Sequence, residues 1–187
     1  MLALFAGPAL GQPAPAPDAF QAPAYHAPTK ITMATNLGGA NLVRSVDYAK
    51  AHNDPSLGVS WNYSLPGSLG ATVQLYQARQ TSIPAGAASP LVQAQFREAT
   101  DEIPQSKKYD QLAPVKAPAD CVYGILTFRC SVQSGLTLSN QQRVRIGLMV
   151  TGYRNHFLKV RLDTAPTPSG DAAAERFMQA LVAQVTR

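Results

Sequence analysis

The sequence predicts an α+β fold in which helices pack on an antiparallel sheet. Stretches in which apolar and polar residues alternate are grouped in pairs separated by short turns, which is typical of hairpins. Two other stretches carry apolar side chains every three or four residues, which indicates amphipathic helices. The chain has 187 residues, 45% of them hydrophobic, which is enough for one domain with a packed core.

The first 29 residues divide into an apolar leader and a linker rich in Ala and Pro. Residues 1–11 are largely apolar, and Ala9-Leu10-Gly11 fits the small-x-small pattern of signal-peptide cleavage, although a basic region before it is missing. The alternative is a buried N-terminal strand or helix. Residues 12–29 favour an extended linker. We therefore expect a signal-peptide remnant, a linker, a single domain over residues 30–187, and a periplasmic or secreted protein.

The first predicted hairpin lies on either side of the turn-forming sequence Pro66-Gly67-Ser68-Leu69-Gly70. Residues 59–65 and 71–76 both alternate between apolar and polar, so each strand has one buried face. The register that we expect places two pairs of apolar side chains opposite each other: Tyr63 with Val73, and Trp61 with Leu75.

Two helices are predicted from capping residues and apolar spacing. Ser89-Pro90 begins the first helix and Pro104 ends it, while Asp171 caps a second helix over residues 171–185. Residues 104–120 are then a long polar loop, a feature that is often functional. The buried stripes of the two helices comprise Val92, Phe96, Ala99 and Ile103, and Phe177, Met178, Leu181, Val182 and Val185.

A strand over residues 121–132 precedes a second hairpin, over residues 143–163. We expect its turn at residues 153–155, because the matching register sets Arg145 against Asp163 rather than against another cation. That register puts the apolar residues of both strands on one face: Val144, Ile146, Leu148, Val150, Leu158, Val160 and Leu162. The opposite face then carries four cations: Arg143, Arg145, Lys159 and Arg161.

This predicted basic face is the strongest sequence indication of a binding surface. The chain carries 16 Lys and Arg against 11 Asp and Glu, a formal charge of +5, which suits an anionic partner. We expect an acidic protein or an anionic envelope component to bind there, and no nucleic acid, because no aromatic-basic RNA-binding motif is present. The alternative is a solvated face, partly neutralised by the pairing of Arg145 with Asp163, or a face covered by a helix that packs on the long side-chain stems. The expected binding residues are Arg143, Arg145, Lys159 and Arg161, with Tyr153 and Arg154 at the adjoining turn.

Four motifs resemble those of a group of uncharacterised exported bacterial proteins, over residues 57–163. They are Leu57-Gly58-Val59-Ser60-Trp61-Asn62-Tyr63, residues 71–76, Ile83-Pro84-Ala85-Gly86 and residues 152–161. The order of the elements also resembles the PsbP/Mog1-like α/β/α sandwich. That resemblance implies a non-catalytic accessory or partner-binding domain, and it carries over no catalytic residue.

The two cysteines allow a disulfide in an oxidising compartment. On one straight strand Cys121 and Cys130 would lie about 30 Å apart, so they can bond only if the chain reverses between them, near Gly124. Otherwise Cys130 is a core residue and Cys121 is free.

Catalytic and metal motifs are weak in this sequence. Ser68 lies in a turn that is one glycine short of the G-x-S-x-G pattern, and the three histidines lack metal-ligand spacing, so no cofactor or metal is expected. No apolar run reaches the roughly 18 residues that span a membrane. The leading interpretation is an exported, non-catalytic binding domain. The alternatives are a hydrolase-type enzyme, which a deep pocket uniting His156 and a carboxylate would favour, and a carrier of a small apolar ligand.

Overall fold

An eight-stranded antiparallel sheet forms the centre of the computed structural model, which describes residues 25–66 and 70–187. The strands are β1 (Tyr25–His26), β2 (Ile31–Thr32), β3 (Asn36–Leu37), β4 (Ala40–Asp47), β5 (Val59–Ser64), β6 (Gly70–Tyr76), β7 (Tyr109–Tyr123), β8 (Leu126–Thr137), β9 (Arg143–Tyr153) and β10 (His156–Thr164). The helices are α1 (Tyr48–His52), α2 (Pro90–Gln105) and α3 (Pro168–Val185). The strand order in the sheet is β3-β4-β5-β6-β10-β9-β8-β7, and β1 and β2 form a separate ribbon.

The two long helices pack on opposite faces of this sheet. The apolar stripe of α2 packs with the even-numbered residues of β9, from Val144 to Val150, and with Phe157. The stripe of α3 packs with Trp61, Tyr63 and three residues of β10, namely Leu158, Val160 and Leu162. We call these two sides the α2 face and the α3 face. The predicted class, α+β with helices on an antiparallel sheet, is confirmed.

The register of the hairpin β9–β10 differs from the predicted one. Tyr153 pairs with His156, so the turn has two residues, Arg154 and Asn155, whose φ angles of 46° and 60° match a type I′ turn. The side chain of Asn155 holds this turn, because its Oδ1 accepts from the N–H of Ile83 at 2.8 Å. A shift of one residue moves every side chain of one strand to the other face.

The predicted basic face is therefore wrong. Lys159 and Arg161 lie on the α2 face, opposite Val150 and Leu148, whereas Arg143 and Arg145 lie on the α3 face. The predicted pairing of Arg145 with Asp163 is also wrong, since Arg145 lies opposite Thr164 and forms an ion pair with Asp171. The physical reason is that helices cover both faces of the sheet here. Apolar residues of both parities are buried, and alternation alone cannot select the register.

The predicted loop over residues 104–120 is a strand for most of its length. Helix α2 passes Pro104 and ends at Gln105, and β7 then pairs with β8 along 15 residues. Strand β7 contains Pro114 and Pro118, but it lies at the edge of the sheet. A proline is tolerated there, because an edge strand has one side without a partner strand. The predicted strand over residues 121–132 is likewise broken, because the chain reverses at Gly124 and Ile125.

Two smaller predictions about strand and helix ends are corrected. In the β5–β6 hairpin Trp61 pairs with Val73 and Tyr63 with Ala71, two residues from the expected register; an even shift keeps the same face buried. Helix α3 begins three residues earlier than expected, because the hydroxyl of Thr167 accepts from the N–H of Gly170 at 3.2 Å. Asp171 instead lies in the first turn of the helix.

Part of the N-terminal prediction lies outside the described residues, namely the signal-peptide remnant over residues 1–11 and the linker up to residue 24. The last linker residues, 25–29, form β1 and the turn that follows it. Within residues 25–66 and 70–187, no helix is long and apolar enough to cross a membrane.

Candidate functional site

A groove lies on the α2 face of the sheet. Helix α2 covers β9 but leaves the polar sides of β5, β6 and β10 open. Three cavities follow one another there, with volumes of about 470, 270 and 380 Å³. The first two share Asn62, Thr72 and Arg161, and the last two share Gln74, Glu102 and Lys159. They therefore form one continuous channel, which we call the polar groove.

Two rows of polar side chains form the floor of the polar groove. Residues that pair across β10, β6 and β5 share a row, so the register defines both rows. One row is Lys159, Gln74 and Ser60, and the other is Arg161, Thr72 and Asn62. The hydroxyl of Thr72 donates to Oδ1 of Asn62 at 2.9 Å. Hydroxyl, amide and cationic groups thus line a surface that an apolar helix could not cover without losing their hydration.

The end of the groove beside β7 is predominantly cationic. Lys107, Lys108 and Arg161 line the first cavity, with Asp163 as the carboxylate among them. The hydroxyl of Tyr109 donates to Oδ2 of Asp163 at 2.6 Å, and Nζ of Lys108 donates to the same oxygen at 3.3 Å. Burial, reinforced by the charge of Asp163, raises the pKa of Tyr109, so its hydroxyl remains a donor. We call this the cationic end.

The contacts of Asp163 determine how much positive charge is left at the cationic end. Arg161 Nε lies 3.6 Å from Oδ1 of Asp163, and both atoms are buried without a hydrogen bond. Tyr109 and Lys108 occupy the other carboxylate oxygen. Asp163 therefore positions Arg161 and Lys108 while neutralising only part of the cationic charge. The charge that remains faces the cavity and suits an anionic group.

The opposite end of the groove carries carboxylates. Glu98 and Glu102 project from α2 into the third cavity, and Tyr48 and His52 of α1 line its other side. Nζ of Lys159 donates to Oε2 of Glu102 at 3.2 Å and lies 5.3 Å from the ring centre of Tyr76. We call this the acidic end. The charge that lines the groove therefore changes from positive at one end to negative at the other.

The structure brings together only two of the six residues predicted to bind a partner. Lys159 and Arg161 lie in the polar groove, as described above. Arg154 donates to the carbonyl oxygen of Thr29, and Tyr153 donates to that of Val185, so both side chains contact neighbouring elements. Arg145 pairs with Asp171, and Arg143 is exposed on the α3 face.

Cys121 and Cys130 form a disulfide with a Cα–Cα distance of 6.0 Å. The chain reverses between them, as this bond requires, because Gly124 and Ile125 form the turn between β7 and β8. The bond joins the two strands close to the tip of their hairpin.

His156 does not line any of the three cavities of the groove. Its ring lies on the α3 face, 5.3 Å from the ring of His26, with Nδ1 3.0 Å from the carbonyl oxygen of Arg154. The convergence of His156 with a carboxylate in a deep pocket, which would favour a hydrolase, is thus not seen in the groove. Across residues 25–66 and 70–187, no three His, Cys, Asp or Glu side chains are arranged to hold a metal ion. Ser68 lies outside the described residues.

Most residues of the groove were not predicted from the sequence. Lys107, Lys108 and Tyr109 lie within the expected loop over residues 104–120, and the alternation of β5 and β6 predicts only that one face of each strand is buried. One signal was available, since Ser60, Asn62, Thr72 and Gln74 alternate with buried residues on two adjacent strands. Such a polar strip in the middle of a sheet marks a region that no apolar helix can cover.

The fold and the groove together define a class, an α+β domain with an open polar channel on one face of its sheet. Comparison with known proteins found no matching family model, no similar curated protein and no similar solved structure.

Proposed function

We propose that this protein is a non-catalytic binding domain whose polar groove holds an anionic group of a partner. The observation that carries the proposal is the cationic end, where Lys107, Lys108 and Arg161 surround a cavity of about 470 Å³. Asp163 offsets part of this charge and positions two of the cations. A carboxylate entering the cavity would gain charge-assisted hydrogen bonds.

The location and the partner class are part of the same proposal. The disulfide between Cys121 and Cys130 supports an oxidising compartment, so we propose a periplasmic or secreted protein. The partner is then an acidic protein or an anionic envelope component. Helices on both faces of an antiparallel sheet support a PsbP/Mog1-like sandwich, whose members are mostly accessory domains. The groove is open along its length rather than enclosed, which favours this function over transport of a small apolar ligand.

The test is an NMR titration with an acetylated and amidated hexapeptide that contains two glutamates among alanines. We expect resonances of Arg161 and Thr72 to shift at low salt. The variant Lys107→Gln/Lys108→Gln should weaken binding about tenfold, because it removes two cations from the cationic end. The matched control is Arg143→Gln/Lys116→Gln, which removes the same charge from exposed residues outside the groove.

Two results would refute the proposal. One is that the resonances that shift belong to residues outside the groove, or that no resonance shifts at all. The other is equal weakening by both double variants, which would mean that net charge alone attracts the peptide. Circular dichroism of each variant establishes that the fold is intact.

A further inference from the structure

The groove has opposite charges at its two ends, and this restricts the ligand further. The cationic end has three cations and one carboxylate, whereas the acidic end has two carboxylates, Glu98 and Glu102, and one cation, Lys159. Glu102 is already engaged by Lys159, and Glu98 accepts from the side chain of Gln95 at 3.1 Å. A ligand that is uniformly anionic would gain at one end and be repelled at the other.

Strand β10 runs past both ends of the groove and gives a measure of the distance between them. Lys159 lines the second and third cavities, Asp163 lines the first, and both lie on β10. They are four residue steps apart along the strand, which corresponds to about 13 Å. An extended peptide has the same rise per residue, so its side chains at positions i and i+4 point to one side and lie about 13 Å apart. An extended peptide can therefore place one side chain at each end of the groove when the two residues are four positions apart.

The floor supplies groups that suit a peptide backbone. Between the two ends lie the half-buried hydroxyl and amide side chains of Asn62, Thr72 and Gln74, whereas Ser60 is buried beneath them. Hydroxyl and amide groups both donate and accept hydrogen bonds, as peptide N–H and C=O groups require. The side of β6 that carries Thr72 and Gln74 runs along the middle of the groove, so a peptide lying over it would follow the strand direction.

We propose that the groove binds an extended peptide segment carrying an acidic and a basic residue four positions apart. The acidic residue contacts Lys107, Lys108 and Arg161, and the basic residue contacts Glu98 and Glu102. This inference rests on the proposed function, since it names the ligand class for the same groove. It goes beyond it by requiring a positive charge in the ligand.

The experiment compares three hexapeptides, acetylated and amidated, in NMR titrations of the whole domain. The first has Glu at position 2 and Lys at position 6, the second has these two reversed, and the third has Glu at both positions. We expect one of the mixed-charge peptides to bind about fivefold more tightly than the di-acidic peptide. Two mixed peptides are needed because either chain direction satisfies the charges.

A single variant tests whether the acidic end causes this preference. Glu98→Gln should reduce the advantage of the preferred mixed peptide about threefold, the effect of one exposed ion pair. The matched control is Glu175→Gln on α3, since Glu175 is exposed and also accepts from a glutamine side chain. This control should leave the preference unchanged.

The outcomes separate the two proposals. If no peptide shifts groove resonances, the proposed function fails. If the di-acidic peptide binds in the groove as tightly as both mixed peptides, or if Glu98→Gln leaves the preference intact, the inference of a mixed-charge ligand is overturned while the anion-binding groove stands.

Discussion

Acidification from pH 7 to pH 5 should destabilise the fold through His26. This side chain is 8% exposed, and its Nδ1 lies 2.7 Å from the hydroxyl of Thr29. Its ring meets the rings of His156 and Trp61 edge-on, at 5.3 and 6.4 Å. Burial and then the neighbouring His156 lower the pKa of His26 from 6.5 to about 4, while Asp47 acts in the opposite direction.

The sign of the effect follows from which state binds the proton. Between pH 6.5 and pH 4 the unfolded chain is protonated at His26, whereas the folded chain keeps it neutral. The stabilisation is therefore complete above pH 6.5 and is lost as the pH falls towards 4. Moving from pH 7 to pH 5 should lower the free energy of unfolding by about 2 kcal/mol, because one pKa unit corresponds to about 1.4 kcal/mol.

Urea unfolding provides the assay, because the single tryptophan, Trp61, is fully buried beside His26 and reports unfolding by fluorescence. The variant His26→Gln removes the titrating group and should reduce the loss of stability between pH 7 and pH 5 by about 2 kcal/mol. The control is His52→Gln, which changes an exposed histidine on α1. An identical pH dependence in His26→Gln and the wild type would refute the reasoning.

Two further predictions concern the stability of the fold. Replacing both Cys121 and Cys130 with serine should lower the free energy of unfolding by about 2–3 kcal/mol, since the bond closes a loop of about ten residues in the unfolded chain; a reductant that leaves the wild-type urea midpoint unchanged would contradict this. Gly58→Ala should lower the free energy of unfolding more than Gly39→Ala does. Both glycines have positive φ angles, but only at Gly58 would the new Cβ meet backbone, 1.9 Å from the carbonyl oxygen of Leu75. At Gly39 the strain of the positive φ angle alone should lower the free energy of unfolding by about 1–2 kcal/mol. Equal urea midpoints for the two variants would contradict the prediction, because they would show that the close approach at Gly58 is relieved.

The large apolar residues that the two helices bury were predictable, although Gln95, Gly170 and Ala173 are buried as well. All nine residues expected to be buried on α2 and α3 are buried in the structure. A helix packed on a sheet has one apolar side, so the spacing of its apolar residues identifies that side directly. Its ends are less certain from sequence, as Pro104 and Asp171 show, because a cap depends on local backbone geometry that neighbouring residues can also supply.

The long edge strand was not predictable by the same rules. Polar residues and two prolines over 104–120 are typical of a loop, and each of these features is also tolerated on an edge strand. What makes β7 a strand is its pairing with β8, which holds even though the register shifts at three places. That pairing depends on the tight turn at Gly124, which lies outside residues 104–120. The local pattern of these residues therefore cannot show that they form a strand.

The position of the groove depends on one residue of register between β9 and β10. With a two-residue turn at Arg154 and Asn155, Lys159 and Arg161 point to the side that α2 only half covers. With the expected three-residue turn, both would point to the α3 face.

The same shift explains why the two pairs of predicted cations have different environments. Arg145, on the α3 face, meets Asp171 in the first turn of α3, where a carboxylate also interacts favourably with the helix dipole. Arg161, on the α2 face, joins a polar strip that extends through Thr72 to Asn62, and no helix can bury that strip without desolvating it. The polar residues of β5 and β6 thus keep the helix off this half of the sheet, and the register of β10 decides that the surface left open carries charge.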